Sequence, residues 1–106
     1  MAYIYQVSFD IRPDQMTELE IGASLERVIG YLRTLLPSEP GYISAQAISS
    51  LDDPDRTRVI VQSVWDYWNE LEQHRQSSLA EDKVLSEFEP HVSLADLTVR
   101  VYQEVA

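Results

Sequence analysis

The sequence predicts an α+β fold: a four-stranded antiparallel sheet with helices on one face. Three observations predict it. Segments of period two and segments of helical period follow one another as β-α-β-β-α-β between Tyr3 and Val105. Only a short acidic link, Asp52-Asp53-Pro54-Asp55, joins the second and third extended segments, which makes them an antiparallel hairpin. The 106 residues suffice for one domain, spanning 1–106, with one core.

Each element has its own warrant. Tyr3, Tyr5, Val7, Phe9 and Ile11 alternate with Ile4, Gln6, Ser8 and Asp10, the pattern of a strand ended by Pro13-Asp14. Residues 14–22 fit a loop, a strand extension or a short helix. Leu25, Val28, Ile29, Leu32, Leu35 and Leu36 make one apolar helical stripe, capped by Ser24 or Gly22 and stopped by Pro37. Tyr42 to Leu51 reads as a strand with Ile43, Ala45, Ala47 and Leu51 on one face, and Thr57 to Trp65 as a third strand. Asp66 is a suitable N-cap for a helix from Tyr67 to about Ser77, with Tyr67, Leu71 and His74 on one stripe. Ser78-Leu79-Ala80-Glu81 has the form of a capping box for a further helix that puts Ala80, Val84, Leu85 and Phe88 inward until Pro90. Ala95 to Val105 is the last strand. With right-handed crossovers this order gives the ferredoxin-like split β-α-β arrangement.

Bulk composition excludes several classes of function. Eighteen acidic and 8 basic residues give a net charge of −10, which opposes nucleic acid and anionic membranes. Without cysteine there is no disulfide, thiolate catalysis or cysteine-bound zinc. The N-terminal residues lack the pattern of a signal peptide, and no run approaches the ~20 apolar residues of a membrane span, so a cytoplasmic protein is expected. Asp52, Asp53 and Asp55 lack the spacing of a calcium loop, and no glycine-rich phosphate motif is present. Neither a metal nor a cofactor is expected. His91 follows Pro90 in a loop and is expected to be solvated.

Both faces of the predicted sheet are partly apolar. Ile4, Ile60 and Val64 fall on the face away from the helices, so a homodimer that packs two sheets face to face, closing a dimeric α+β barrel, is expected.

Gly41-Tyr42-Ile43-Ser44, then Ser50-Leu51-Asp52-Asp53-Pro54-Asp55-Arg56, then Val64-Trp65 and His74 resemble the antibiotic biosynthesis monooxygenase domain family. That resemblance implies a dimeric α+β barrel with a pocket between sheet and helices. It also implies cofactor-independent oxygenation of a planar aromatic or quinol-like molecule. Trp65 and His74 would line the pocket, with Tyr5 and Val7 pointing in from the first strand. Haem degradation is not implied, because no histidine stands near Lys83 or Val84 and no asparagine near Val7. Ser77-Ser78-Leu79 also lacks the second histidine of many quinol-oxidising members.

The candidate base is His74, since imidazole titrates near neutrality and can take a phenolic proton. Candidate substrate contacts are Trp65, Trp68, Tyr5 and Tyr42. The same residues fit plainer roles: a helix histidine closing the core edge, and aromatics packing first. Two other readings stand beside the oxygenase. One is a non-catalytic binding or stress-response module for a small apolar or aromatic ligand. The other is a structural domain whose pocket its own side chains fill.

Overall fold

The computed structural model describes residues 1–106. The elements run β1 (Tyr3–Ile11), α1 (Glu18–Leu35), a 3-10 turn (Leu36–Ser38), β2 (Tyr42–Ser49), β3 (Thr57–Trp65), α2 (Trp68–Ser77), α3 (Leu79–Phe88) and β4 (Thr98–Gln103). The strands form one antiparallel sheet in the order β2-β3-β1-β4, with the two strands of the first β-α-β unit split apart by β3. This is the ferredoxin-like arrangement the element order predicts.

Alternation decides which face is buried. Tyr5, Val7, Phe9 and Ile11 of β1 and Val59, Val61, Ser63 and Trp65 of β3 face the helices and are almost wholly buried. Val28 and Leu32 of α1, Leu71 of α2 and Val84 and Phe88 of α3 meet them. Glu87 ties α3 to α1. Its carboxylate accepts from Arg27 Nε at 2.9 Å and lies 3.5 Å from Lys83 Nζ, and the Arg27 hydrogen bond holds its pKa below the ordinary value.

Four sequence expectations are corrected. First, α1 starts at Glu18, not beside Gly22 or Ser24. Thr17 Oγ1 accepts from the Glu20 N–H at 3.2 Å, and Glu20 Oε1 accepts from the Thr17 N–H at 3.0 Å. This reciprocal capping box satisfies two otherwise orphaned donors, which neither alternative cap can do. Residues 14–22 thus divide between a turn, closed by Gln15 N–H to the Arg12 carbonyl, and the first turn of the helix.

Second, β2 carries a bulge. Tyr42 pairs with Trp65 and Ser44 with Val64, so Ile43 has no partner. The extra residue reverses the parity: Tyr42 turns to the helix side with Ala45, while Ile43 is left 46% exposed. Leu51, expected on the strand face that carries Ala45 and Ala47, lies beyond the strand and is 92% exposed.

Third, neither expected cap on the paired helices forms. Tyr67, in an extended conformation, occupies the N-cap position of α2, and the Asp66 N–H is spent on the Gly41 carbonyl at 2.7 Å. Gly41 has φ +79, and a Cβ there would stand 3.1 Å from the Tyr67 ring, so glycine fits on both counts. Ser78 has φ 56 and ψ 18, a left-handed residue that breaks α2 from α3, whereas a side-chain N-cap adopts extended geometry. Fourth, β4 is shorter than Ala95–Val105, because Leu97 N–H closes a turn on the Leu94 carbonyl and Val105 is exposed.

Candidate functional site

Three elements converge at the end of the sheet where β1 begins and β3 finishes. Alternation turns Tyr5 of β1 and Trp65 of β3 inward, and the helical stripe of α2 brings Leu71 and His74 down onto them. His74 is 6% exposed. Its ring stacks on Trp65 with centroids 5.0 Å apart and planes 29° apart. Tyr5 meets the same imidazole edge-on, also at 5.0 Å, with planes 81° apart. Tyr42, turned in by the bulge, packs edge-on against Trp65 at 5.8 Å.

Trp65 is held as well as packed. Its Nε1–H donates to Ser63 Oγ at 2.9 Å, and both residues are buried. Ser63 was not singled out from the sequence. The signal available was a lone polar residue on the inward face of β3, two positions before an inward Trp whose N–H seeks an acceptor once buried.

Two polar atoms of the cluster have no partner: the Tyr5 hydroxyl and His74 Nε2. A buried polar group left unsatisfied costs about 1–3 kcal/mol. Burial pushes the His74 pKa down from 6.5 to about 4, so the ring is neutral at neutral pH. The cluster therefore holds an unpartnered phenolic O–H and an unpartnered imidazole nitrogen on two rings in edge-to-face contact. A neutral hydroxyl group presented there can accept from Tyr5 and donate to His74.

Four of the five sequence candidates, Tyr5, Tyr42, Trp65 and His74, form one contiguous group. Trp68 lies at its rim, 44% exposed and edge-on to Tyr3 at 5.7 Å. Five surface hollows of about 200–390 Å³ lie elsewhere, with none of Tyr5, Trp65 or His74 in their walls. His91 is exposed.

No protein-family model matches the sequence, and no curated protein matches it. Solved structures do match. Rv0793 from Mycobacterium tuberculosis aligns with a TM-score of 0.63 at 18% identity, over 100% of this chain and 97% of its own. A candidate antibiotic biosynthesis monooxygenase from Deinococcus radiodurans gives 0.60 at 16% identity, over 100% and 94%. SnoaB, a cofactor-independent oxygenase from Streptomyces nogalater, gives 0.61 at 9% identity, over 97% and 92%. The chain shares the fold of the antibiotic biosynthesis monooxygenases. At these identities the likeness covers the backbone path and not the residues of the site.

Proposed function

We propose that the chain is a small monooxygenase-like protein that takes a planar, hydroxylated aromatic molecule between α2 and the sheet. The observation that carries this reading is two buried, unpartnered atoms, Tyr5 Oη and His74 Nε2, on rings that contact each other, with His74 stacked on Trp65. A native fold rarely leaves two such atoms together without a ligand or water to satisfy them. The fold shared with SnoaB, described as a cofactor-independent oxygenase, supports the choice of chemistry.

In this reading the substrate hydroxyl donates to His74 Nε2, and Trp65 stacks on the ring. Loss of the hydroxyl proton makes the aromatic system electron-rich enough to pass an electron to O2. One oxygen atom then enters the carbon skeleton and the other leaves as water. The electrons come from the substrate's own C–H and O–H bonds. An ordinary phenol ionises near pH ~10, and a histidine of pKa about 4 is a weak acceptor for its proton. His74 therefore acts as a base only if substrate binding opens α2 enough to rehydrate the ring and raise its pKa toward 6.5.

The test is oxygen uptake with anthrones, quinols and reduced naphthoquinones, run beside His74→Ala. Uptake that disappears in the variant is the expected result. Equal uptake in the variant removes His74 from the mechanism.

A second reading is favoured by the absence of Tyr5, Trp65 and His74 from the walls of the five hollows. In it the domain is structural, and its own side chains fill the space between α2 and the sheet. Failure of the same aromatic panel to give either oxygen uptake or quenching of tryptophan fluorescence selects that reading.

We also propose that the working unit is a homodimer. The face away from the helices carries a row of Val64, Ile4 and Tyr102 in register, and a second row of Ile48, Ile60 and Ser8. Two such faces packed together would bury these rows and close a barrel. Sedimentation of the wild type as a dimer and of Ile60→Lys as a monomer is expected, and a monomeric wild type removes the proposal.

A further inference from the structure

The His74 cluster is closed by a helix that little else holds. α1 is tied to the sheet through Arg33 Nε, which donates to the Ala45 carbonyl at 3.0 Å, and to α3 through Arg27 and Glu87. The polar side chains of α2 make no such crossing. Arg75 pairs with Glu72 at 3.2 Å, and Ser77 Oγ donates to the His74 carbonyl and accepts from the Leu79 N–H. What seats α2 is the burial of Leu71 and His74 and the edge-on contact of Trp68 with Tyr3. Its ends are as lightly fixed. Tyr67, extended at the N-cap, gives no side-chain hydrogen bond. Ser78, at the other end, is the one non-glycine residue with positive φ, at φ 56 and ψ 18. The left-handed region is disfavoured for any residue with a Cβ, so turning Ser78 out of it relieves strain and redirects α2.

His74 stands where a flat ligand would stand. Its imidazole is stacked on Trp65, with planes 29° apart, and so covers one face of the indole. While the helix is seated, His74 Nε2 and the Tyr5 hydroxyl both stay unpartnered. Lifting α2 uncovers the indole face and gives both polar atoms access to water or to a ligand, which removes the cost of leaving them unsatisfied. Trp65 stays behind, because its Nε1–H is held by Ser63 within the sheet.

We propose that α2 is a lid that turns about Ser78 and that His74 is its plug: when the helix lifts, a planar hydroxylated ring replaces the imidazole on Trp65. The ring as occupant rests on the aromatic-substrate reading above, whereas the lid rests on the fixing of α2 alone. α2 packs on the inward face of the sheet through His74, Tyr5 and Trp65, so its motion leaves alone the opposite face, which a dimer would bury.

The test locks the lid. The chain has no cysteine, and a Cβ at Gly41 would lie 3.5 Å from the Glu70 Cβ, within the span of a disulfide. Gly41→Cys with Glu70→Cys therefore staples the first turn of α2 to the segment before β2 when oxidised and frees it when reduced. Solvent exchange of the Trp65 indole N–H reads the opening without any ligand. Binding is read by naphthohydroquinone, kept anaerobic, quenching Trp65 fluorescence in a Trp68→Phe background. In the wild type the indole N–H should be protected at least about tenfold less than the amides of Val7 and Val61 in the sheet beneath it. Oxidising the staple should slow indole exchange and weaken binding by about tenfold or more, and reduction should restore both. Gly41 has φ +79, which strains a cysteine there, so Ser78→Gly supplies a second arm. Glycine holds the left-handed hinge without strain and should raise indole protection about fivefold. Indole protection equal to that of the sheet, or exchange that ignores both the staple and Ser78→Gly, overturns the lid. Binding that is equal in the oxidised and reduced forms overturns it too. Staple-sensitive exchange with no ring bound leaves the lid standing and overturns the aromatic-substrate reading.

Discussion

Phe9 on Phe88 and His74 on Trp65 close the two ends of the core with rings at the same separation, 5.0 Å. Both pairs join a sheet strand to a helix, and all four residues are buried. The difference lies in what the rings carry. The phenylalanine pair is wholly apolar, and the helix it anchors also gains Arg27 and Lys83 on Glu87. The imidazole pair brings a nitrogen with no partner, next to a hydroxyl with no partner. Good packing alone explains the first end. At the second end packing is equally close, yet the polar atoms cost stability that an apolar pair would not. Such a local conflict between burial and chemistry is where function is expected.

The largest expected effect breaks the apolar end. Phe88→Ala removes a fully buried ring and its contact with Phe9, and should destabilise the fold by about 3–5 kcal/mol in chemical denaturation. His74→Leu, at the opposite end, keeps similar volume and deletes the orphan nitrogen. At pH 7 it should leave stability unchanged or raise it, while abolishing ligand binding. A loss at pH 7 comparable to that of Phe88→Ala would mean that His74 is only a packing residue with hidden partners.

A smaller effect sharpens the comparison through pH. The folded pKa of His74, about 4, lies below its unfolded value of 6.5, so the unfolded chain takes up the proton first. Its contribution is fully present above pH 6.5 and is lost as pH falls toward 4. The difference corresponds to about 3 kcal/mol over that window. Denaturation midpoints of the wild type should therefore drop steeply through it. The same curve for His74→Leu should be flatter by that amount, with the carboxylates contributing equally to both. Parallel curves would show that the ring is not desolvated in solution.

Much of this comparison was legible in the sequence. Strict alternation in β1 and β3 placed Tyr5, Phe9 and Trp65 inward, and the stripe of Leu71 and His74 aimed α2 at them. What escaped depended on single backbone residues. The bulge at Ile43 turned Tyr42 onto Trp65, and nothing in the period of β2 announces an extra residue. The break at Ser78 rests on a left-handed serine, where a capping-box pattern had suggested an extended one. Thr17-Glu18-Leu19-Glu20 did carry a capping signature. The closed state of the cluster was not legible at all, because whether a pocket stands open depends on fractions of an ångström in how α2 seats.

The smallest effect is the most discriminating. Tyr5→Phe deletes one buried hydroxyl and keeps the ring that faces His74. If that hydroxyl has no partner in the resting protein, its removal should be neutral or stabilising by up to ~1 kcal/mol, because a desolvated group is no longer left unsatisfied. If an ordered water or a retained ligand already bridges Tyr5 and His74, the same change should destabilise by about 1 kcal/mol, since His74 Nε2 then loses part of its network. In a working site, the variant should also weaken binding of a hydroxylated aromatic more than that of the same ring without its hydroxyl. Measuring both ligands with both proteins separates a contact to the hydroxyl from a general loosening of the pocket, which would weaken the two alike.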